Sequence, residues 1–231
     1  MKNKFQNTSF LVVTFILFLL GSTQCAKTDD VQPIDNNTVD TTGNSGGIDT
    51  TGNSGGTVTY SGFILNEILY DPPANMPGDA NGDGTRDPNE DEFIEFVNDS
   101  DSSYDLSGHM IFDATNFSSG VPNHIFPNNT IVNPGQSVVV FGGGSPVGIF
   151  GGAQVFVSSN AVMNLNNSGD IMTYTDSLQN ILIEFDINPY SNNPNESYTR
   201  SPEITGNFTQ HDSVANGILF SPGTKADGSS F

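Results

Sequence analysis

The sequence predicts an all-β domain, a sandwich or a barrel, and three observations predict it. From residue 60 onward, short apolar runs alternate with clusters of Gly, Pro, Asn and Asp, the pattern of strands and turns. Within two of these runs, Asp91-Glu92-Phe93-Ile94-Glu95-Phe96-Val97 and Asn180-Ile181-Leu182-Ile183-Glu184-Phe185-Asp186, charged and apolar residues interleave with a period of two. Beyond the N-terminal segment, no window of a dozen residues carries a convincing helical period.

Taken in order, strands are expected at 63–70, 92–98, 107–113, 124–127, 136–141, 154–157, 170–175 and 180–187, with a further one at 197–200. Spacing this even is the mark of a sandwich or barrel. Apolar stretches such as 138–141 read as core. The acids Glu67, Glu92 and Glu95 read as outward-facing strand carboxylates; an acid pair, or a share in a cation shell, is the alternative.

The N-terminus is of another kind. Lys2 and Lys4 precede an apolar run at 10–20, long enough for a signal sequence and too short to span a bilayer of about 30 Å. Residues 1–24 therefore read as an export signal. Cys25, the lone cysteine, follows directly and looks like the acylated first residue of a mature lipoprotein. The lipobox is imperfect, with Ser22 and Gln24 at its −3 and −1 places, and ordinary signal-peptidase cleavage nearby is the alternative. Several acyl chains would anchor the protein stably, at about 0.8 kcal/mol per buried CH₂. Asp29 and Asp30 resemble the acidic tag that directs some lipoproteins to the outer surface.

Residues 25–59 form a linker with few large apolar side chains, including a tandem nine-residue repeat at 39–47 and 48–56. Such a segment cannot offset its ordering entropy by burial. As a flexible tether of about 35 residues it would hold a domain roughly 30–35 Å from its anchor. Asp40-Thr41-Thr42 and Asp49-Thr50-Thr51 resemble an O-glycosylation triplet, with a plain spacer as the simpler reading. Each repeat also spells Gly-x-Ser-x-Gly, but a nucleophile elbow needs a strand before it and a helix after it, and low-complexity linker supplies neither.

With signal and linker set aside, the stretch 60–231, about 170 residues, folds as one domain of ordinary size. A chain of that length buries roughly 70% of its unfolded surface and needs no disulfide. Composition narrows the partners. Six Lys and Arg face 26 Asp and Glu, a formal charge of −20. With Lys2 and Lys4 in the signal, four cationic residues remain, Lys27, Arg86, Arg200 and Lys225, too scattered to form a phosphate-binding patch. Duplex nucleic acid is thereby excluded, and the acidity points to cations or to solubility.

One motif carries chemistry. Asp79-Ala80-Asn81-Gly82-Asp83-Gly84-Thr85-Arg86-Asp87-Pro88-Asn89-Glu90 fits the twelve-residue EF-hand loop at every ligand position. Asp79, Asn81 and Asp83 would offer side-chain oxygens, Thr85 its carbonyl, Asp87 a direct or water-mediated contact, and Glu90 a bidentate carboxylate. Gly84 stands at the sixth position, where the loop turns sharply. Alternate residues of so tight a loop point inward, which is what a hard cation with six to eight ligands at about 2.3–2.6 Å requires. Magnesium suits the loop less, because it demands octahedral geometry and keeps its waters. An acidic solvated turn is the bland reading. Both flanks read as strands, so the loop is a helix-less clip with an expected Kd of roughly 10⁻⁴–10⁻³ M.

Through the strands and loop runs an ordered series of stretches: Ile64-Leu65-Asn66-Glu67-Ile68-Leu69-Tyr70-Asp71-Pro72, then 91–98, then Tyr104-Asp105-Leu106-Ser107-Gly108, then Ile125-Phe126-Pro127, 131–141 and Leu165-Asn166-Asn167-Ser168-Gly169-Asp170. Glu196-Ser197-Tyr198-Thr199-Arg200-Ser201-Pro202 and Phe220-Ser221-Pro222-Gly223-Thr224 close the series. In this collinear order the domain resembles the lamin-tail family. Where the family often has Trp after Leu-Ser-Gly, this chain has His109, and it has no Trp at all. The resemblance implies an immunoglobulin-like β-sandwich without catalytic residues of its own, which in bacteria accompanies hydrolases, nucleases and surface modules.

The histidines His109, His124 and His211 do not stand at ligand spacing and read as structural or solvent-exposed. The expectation is a non-catalytic, calcium-stabilised binding or adhesion module, tethered to the membrane by the lipid on Cys25 and placed at the cell envelope, on the outer-membrane surface or else secreted. Its partner would be a surface protein or a glycan. A purely structural envelope protein, or a part of a calcium-dependent extracellular hydrolase system, are the alternatives.

Overall fold

The computed structural model describes residues 62–231. The expected signal, Cys25, the linker and its repeats lie outside the described residues.

Two sheets form the body. The larger carries β1 (Phe63–Leu69), β2 (Phe93–Asn98), β7 (Ser137–Phe141), β8 (Gln154–Val157), β11 (Tyr198–Ser201) and β12 (Asn207–Gln210), in the spatial order β12-β11-β1-β2-β7-β8. Its pairings are antiparallel except for the parallel pair β7–β8. The second sheet orders β10 (Ile181–Asp186), β9 (Ile171–Thr175), β4 (Met110–Phe112) and β5 (His124–Ile125). A short ribbon pairs β3 (Tyr104–Asp105) with β6 (Ile131–Val132). Two short helices, α1 (Ala114–Ser119) and α2 (Asp212–Ala215), sit among the connections. Asp113 caps α1 by accepting from the Asn116 N–H, and Gly120 ends it in the left-handed conformation.

The core lies between the sheets. Phe63, Leu65, Ile68, Ile94, Phe96, Val138 and Val140 from the larger sheet meet Ile111, Met172, Tyr174, Ile183 and Phe185 from the smaller. Phe96 is central, its ring centroid 5.2 Å from that of Phe63 and 5.0 Å from that of Tyr174. Both Leu65 and Ile68 reach this core because the register with β2 shifts between Leu65 and Glu67, a β-bulge at Asn66. The position expected to be Trp is filled by His109, half-buried, whose Nδ1 lies 2.7 Å from the Tyr174 hydroxyl.

The expected strands are present in the expected order, so the chain is an immunoglobulin-like sandwich. The ribbon β3–β6 and the strand β12 were not among the expectations. One expectation needs correcting. Glu67, Glu92 and Glu95 are not solvent-facing: their relative exposures are 0%, 3% and 0%. The alternation in β2 is real, with Ile94 and Phe96 on one face and Phe93 and Glu95 on the other. The second face, however, is also covered. A smaller apolar cluster of Leu69, Phe93, Val139 and Phe141 lies there beneath Phe150 and Phe220, which is why Val138-Val139-Val140-Phe141 is apolar without alternation.

Candidate functional site

The twelve-residue loop spans two adjacent strands, leaving β1 through a 3₁₀ turn at Met76–Gly78 and delivering the chain to β2. As expected, no α-helix flanks it. Its curl is written in hydrogen bonds from backbone N–H groups to its own side chains. Asp79 Oδ2 accepts from Gly84 at 3.0 Å, Asn81 Oδ1 from Asp83 at 3.0 Å, and Asp83 Oδ1 from Thr85 at 2.9 Å. Asp87 Oδ1 accepts from Asn89 at 2.8 Å and from Glu90 at 3.3 Å. Gly84 takes φ +91°, a conformation a Cβ would strain.

Two contributors were missed by sequence reasoning. Asp91, fully buried, staples the two arms: its Oδ1 accepts from Ala80 at 2.8 Å and Asn81 at 3.1 Å, and its Oδ2 from Asp87 at 2.7 Å. Burial pushes its carboxyl up, while these donors pull it down. The other is the run Gly142-Gly143-Gly144 after β7, which forms a wall of the loop. Gly143 N–H donates to Glu90 O, Ser145 N–H to Asp83 Oδ2, and Val147 N–H to Asn81 O. A Cβ on Gly142 would stand 1.9 Å from Asn89 O. One on Gly144 would meet Asn81 Nδ2 at 2.4 Å, Asp83 Oδ2 at 2.7 Å and Glu90 Oε2 at 3.3 Å. Only bare glycine backbone admits so close an approach.

Thus three of the six expected donor residues come together where a Gly144 Cβ would stand, Asp83 and Glu90 through carboxylate oxygens and Asn81 through its amide nitrogen. The side chains of Asp79 and Asp87 are not part of this group; like Asn81 Oδ1 and Asp83 Oδ1 they accept from loop N–H groups, and Thr85 is exposed. Among the described residues, no three His, Cys, Asp or Glu side chains are gathered as a metal-holding group. The donor set still suits a hard cation. Asp79 Oδ1 is buried and has no hydrogen-bond partner, a cost of about 1–3 kcal/mol that an ion would relieve. Partial desolvation, and after it the negative charges of Asp87, Asp83 and Asp91, hold the Glu90 carboxyl above the usual range.

A second polar cluster lies on the outer face of the larger sheet. Glu67 Oε1 accepts from Ser197 Oγ at 2.6 Å and from Ser221 N–H at 2.9 Å, and Oε2 accepts from Ser221 Oγ at 2.8 Å. His211 Nε2 is 2.8 Å from Ser221 Oγ and 3.9 Å from Glu67 Oε1. Serine, histidine and glutamate are the ingredients of a hydrolase triad, but here they are structural. Glu67, His211 and Ser221 are all buried, Ser221 Oγ lies against both Glu67 Oε2 and His211 Nε2, and His211 Nδ1 is engaged by Ile218 O at 2.8 Å, so the cluster is closed off beneath the segment it holds. Neighbouring Glu95 accepts from Asn66 Nδ2 at 2.9 Å and from Gly223 N–H at 2.6 Å. A shallow surface depression of about 460 Å³ lies away from this cluster, lined by Asn89 of the loop with Asn164, Asn166, Asp170 and Asn188 among others.

Residues 58–186 match the Lamin Tail Domain family, which covers more than half of the chain. The chain belongs to the lamin tail domain family. No curated relative matches it. Lamin tail domains are immunoglobulin-like modules of binding and structural roles, in keeping with a polar cluster that braces rather than reacts. The matched span takes in the twelve-residue acidic loop and both strands beside it. β11, β12 and the closing segment lie after it, yet β11 pairs directly with β1 inside the same sheet. Among the described residues of this lamin tail domain, no helix is long and apolar enough to cross a membrane.

Proposed function

We propose that this lamin tail domain is a non-catalytic, calcium-stabilised binding or adhesion module of the cell envelope, tethered through lipid on Cys25. The observation that carries the calcium reading is the buried, unpartnered Asp79 Oδ1 in a loop where Asn81, Asp83 and Glu90 crowd against Gly144. Calcium would draw Asp79, Asp87 and the Thr85 carbonyl toward that point and neutralise the crowded acids. By fixing the connection between β1 and β2, it would clip the centre of the larger sheet. The binding role rests on family membership, and the envelope location on the export signal, the cysteine and the long tether.

The test uses the full mature chain immobilised on beads. Defined envelope polysaccharides and purified surface proteins are passed over it in 1 mM calcium and in chelator. Calcium-dependent retention of a discrete glycan or protein supports the reading. Retention of nothing under either condition removes the binding role and leaves a structural envelope protein.

A further inference from the structure

The closing segment, residues 219–231, crosses the outer face of the larger sheet strand by strand. Leu219 O accepts from Ser197 N–H beside β11, Ser221 sits on Glu67 of β1, Gly223 sits on Glu95 of β2, and Ser230 Oγ reaches Gly151 O beyond β7. Ala226 N–H donates to Glu203 Oε1 at 2.7 Å. Its anchors are thus mostly carboxylates that accept its backbone N–H groups. Beneath it lie Phe93 and Phe141, with Phe220 packed edge-on to Phe93 at 6.5 Å.

Two of these carboxylates are paired in a way the anchoring alone does not require. Glu67 and Glu95 are register partners on β1 and β2, directly opposite one another on the same face, and both are fully buried. Like charges so placed oppose sheet pairing. Around the pair stand Ser197 from β11, His211 next to α2, Asn66 of the bulge, Glu203 after β11, and Ser221 and Gly223 of the segment itself. Apart from His211, whose ring nitrogen faces Glu67 alone, none of these groups could bring a positive charge to the pair. Val139 of β7, which is the register partner of Glu95, adds no charge.

We propose that the closing segment is a proton-controlled strap, held down while the Glu67–Glu95 pair keeps one proton and loosened when both carboxyls ionise. Opening admits water to the pair and returns each carboxyl to its ordinary range, so the closed form holds the proton more tightly than the open one. Burial pushes both carboxyls up, and the charge of Glu67 raises Glu95 further. By linkage, the opening constant rises as pH rises above the ordinary carboxylate range, up to tenfold per pH unit while one proton is released. The loosened strap would bare the face formed by Leu69, Phe93, Val139 and Phe141.

The experiment is hydrogen exchange of the Ser221, Gly223 and Ala226 amides in the full chain from pH 5 to pH 8, corrected for intrinsic rates. The expected result is loss of protection with rising pH, steepest at about tenfold per unit. Glu95→Gln, which removes one of the two titrating carboxyls and keeps an oxygen to accept from Gly223, should flatten the profile. Asp227→Asn, an exposed strap carboxylate outside the pair, should leave the slope unchanged. A flat wild-type profile overturns the proposal whether or not the Glu95 variant folds, and so does an unchanged slope in a folded Glu95→Gln.

Discussion

Replacing Asp79 by Ala separates the two things this side chain does. In the metal-free protein it holds the Gly84 N–H through Oδ2, a hydrogen bond of about 0.5–1.5 kcal/mol. Against that loss stands the relief of Oδ1, buried without a partner. The chelated variant should therefore melt within a few degrees of the wild type. In calcium the two should part. With Kd near 10⁻⁴ M, 1 mM calcium adds about 1.4 kcal/mol to the wild type and 10 mM about 2.7 kcal/mol. For a domain of about 170 residues these gains correspond to Tm rises of roughly 3–6 °C and 5–11 °C. Asp79→Ala should lose most of this rise, because one first-position carboxylate has gone and the remaining donors are fewer. The assay is thermal unfolding of the full chain over a calcium titration, with 10 mM magnesium as the comparison. A wild type indifferent to 10 mM calcium, or an Asp79→Ala variant that follows the wild-type curve, refutes the argument that this loop gathers its oxygens around an ion.

Other outcomes follow from the same geometry. Gly144→Ala places a Cβ 2.4 Å from Asn81 Nδ2 and 2.7 Å from Asp83 Oδ2 at φ +73°, so it should weaken calcium binding at least tenfold, about 1.4 kcal/mol, by titration calorimetry. Gly84→Ala, at φ +91° with no atom within 4 Å, should cost only the backbone preference, about 1–2 kcal/mol. Phe96→Ala removes the ring between Phe63 and Tyr174 and should cost about 3–5 kcal/mol, read as a shift in the denaturant midpoint. Burial pushes His124 down to about 4 from its ordinary 6.5. The folded form therefore keeps it neutral, and its contribution is whole above pH 6.5 and is lost as pH falls toward 4, with about 2 kcal/mol gone at pH 5. His124→Phe, which also removes a buried Nε2 without a partner, should abolish that loss when melting at pH 7 and pH 5 is compared. The buried acids act in the opposite direction, so the variant should gain stability on acidification.

Much of this was legible in the residues, and the parts that were not share a cause. The runs at 63–69 and 93–98 announced their strands because β-branched and aromatic residues alternate or persist over several positions. The two-residue strands Tyr104–Asp105 and Ile131–Val132 carry no period at all. The loop was readable because its donors lie within one twelve-residue spacing. Asp91 stood just past the motif, and Gly143 of the glycine wall stands 62 residues from Asn81, a distance no local pattern spans. Glu95 illustrates the limit best. Alternation tells that it faces away from Phe96, but not what covers that second face. The answer lies 128 residues on, in Gly223.

The pairing of β1 with β11 has a consequence for how the chain matures. Ile68 meets Tyr198, 130 positions further along the chain, and the partner arrives after almost everything else in the body. Until then the first strand keeps a bare edge, and the strap that seals its outer face has yet to emerge. The centre of the larger sheet is completed only when the residues from Tyr198 onward have been delivered.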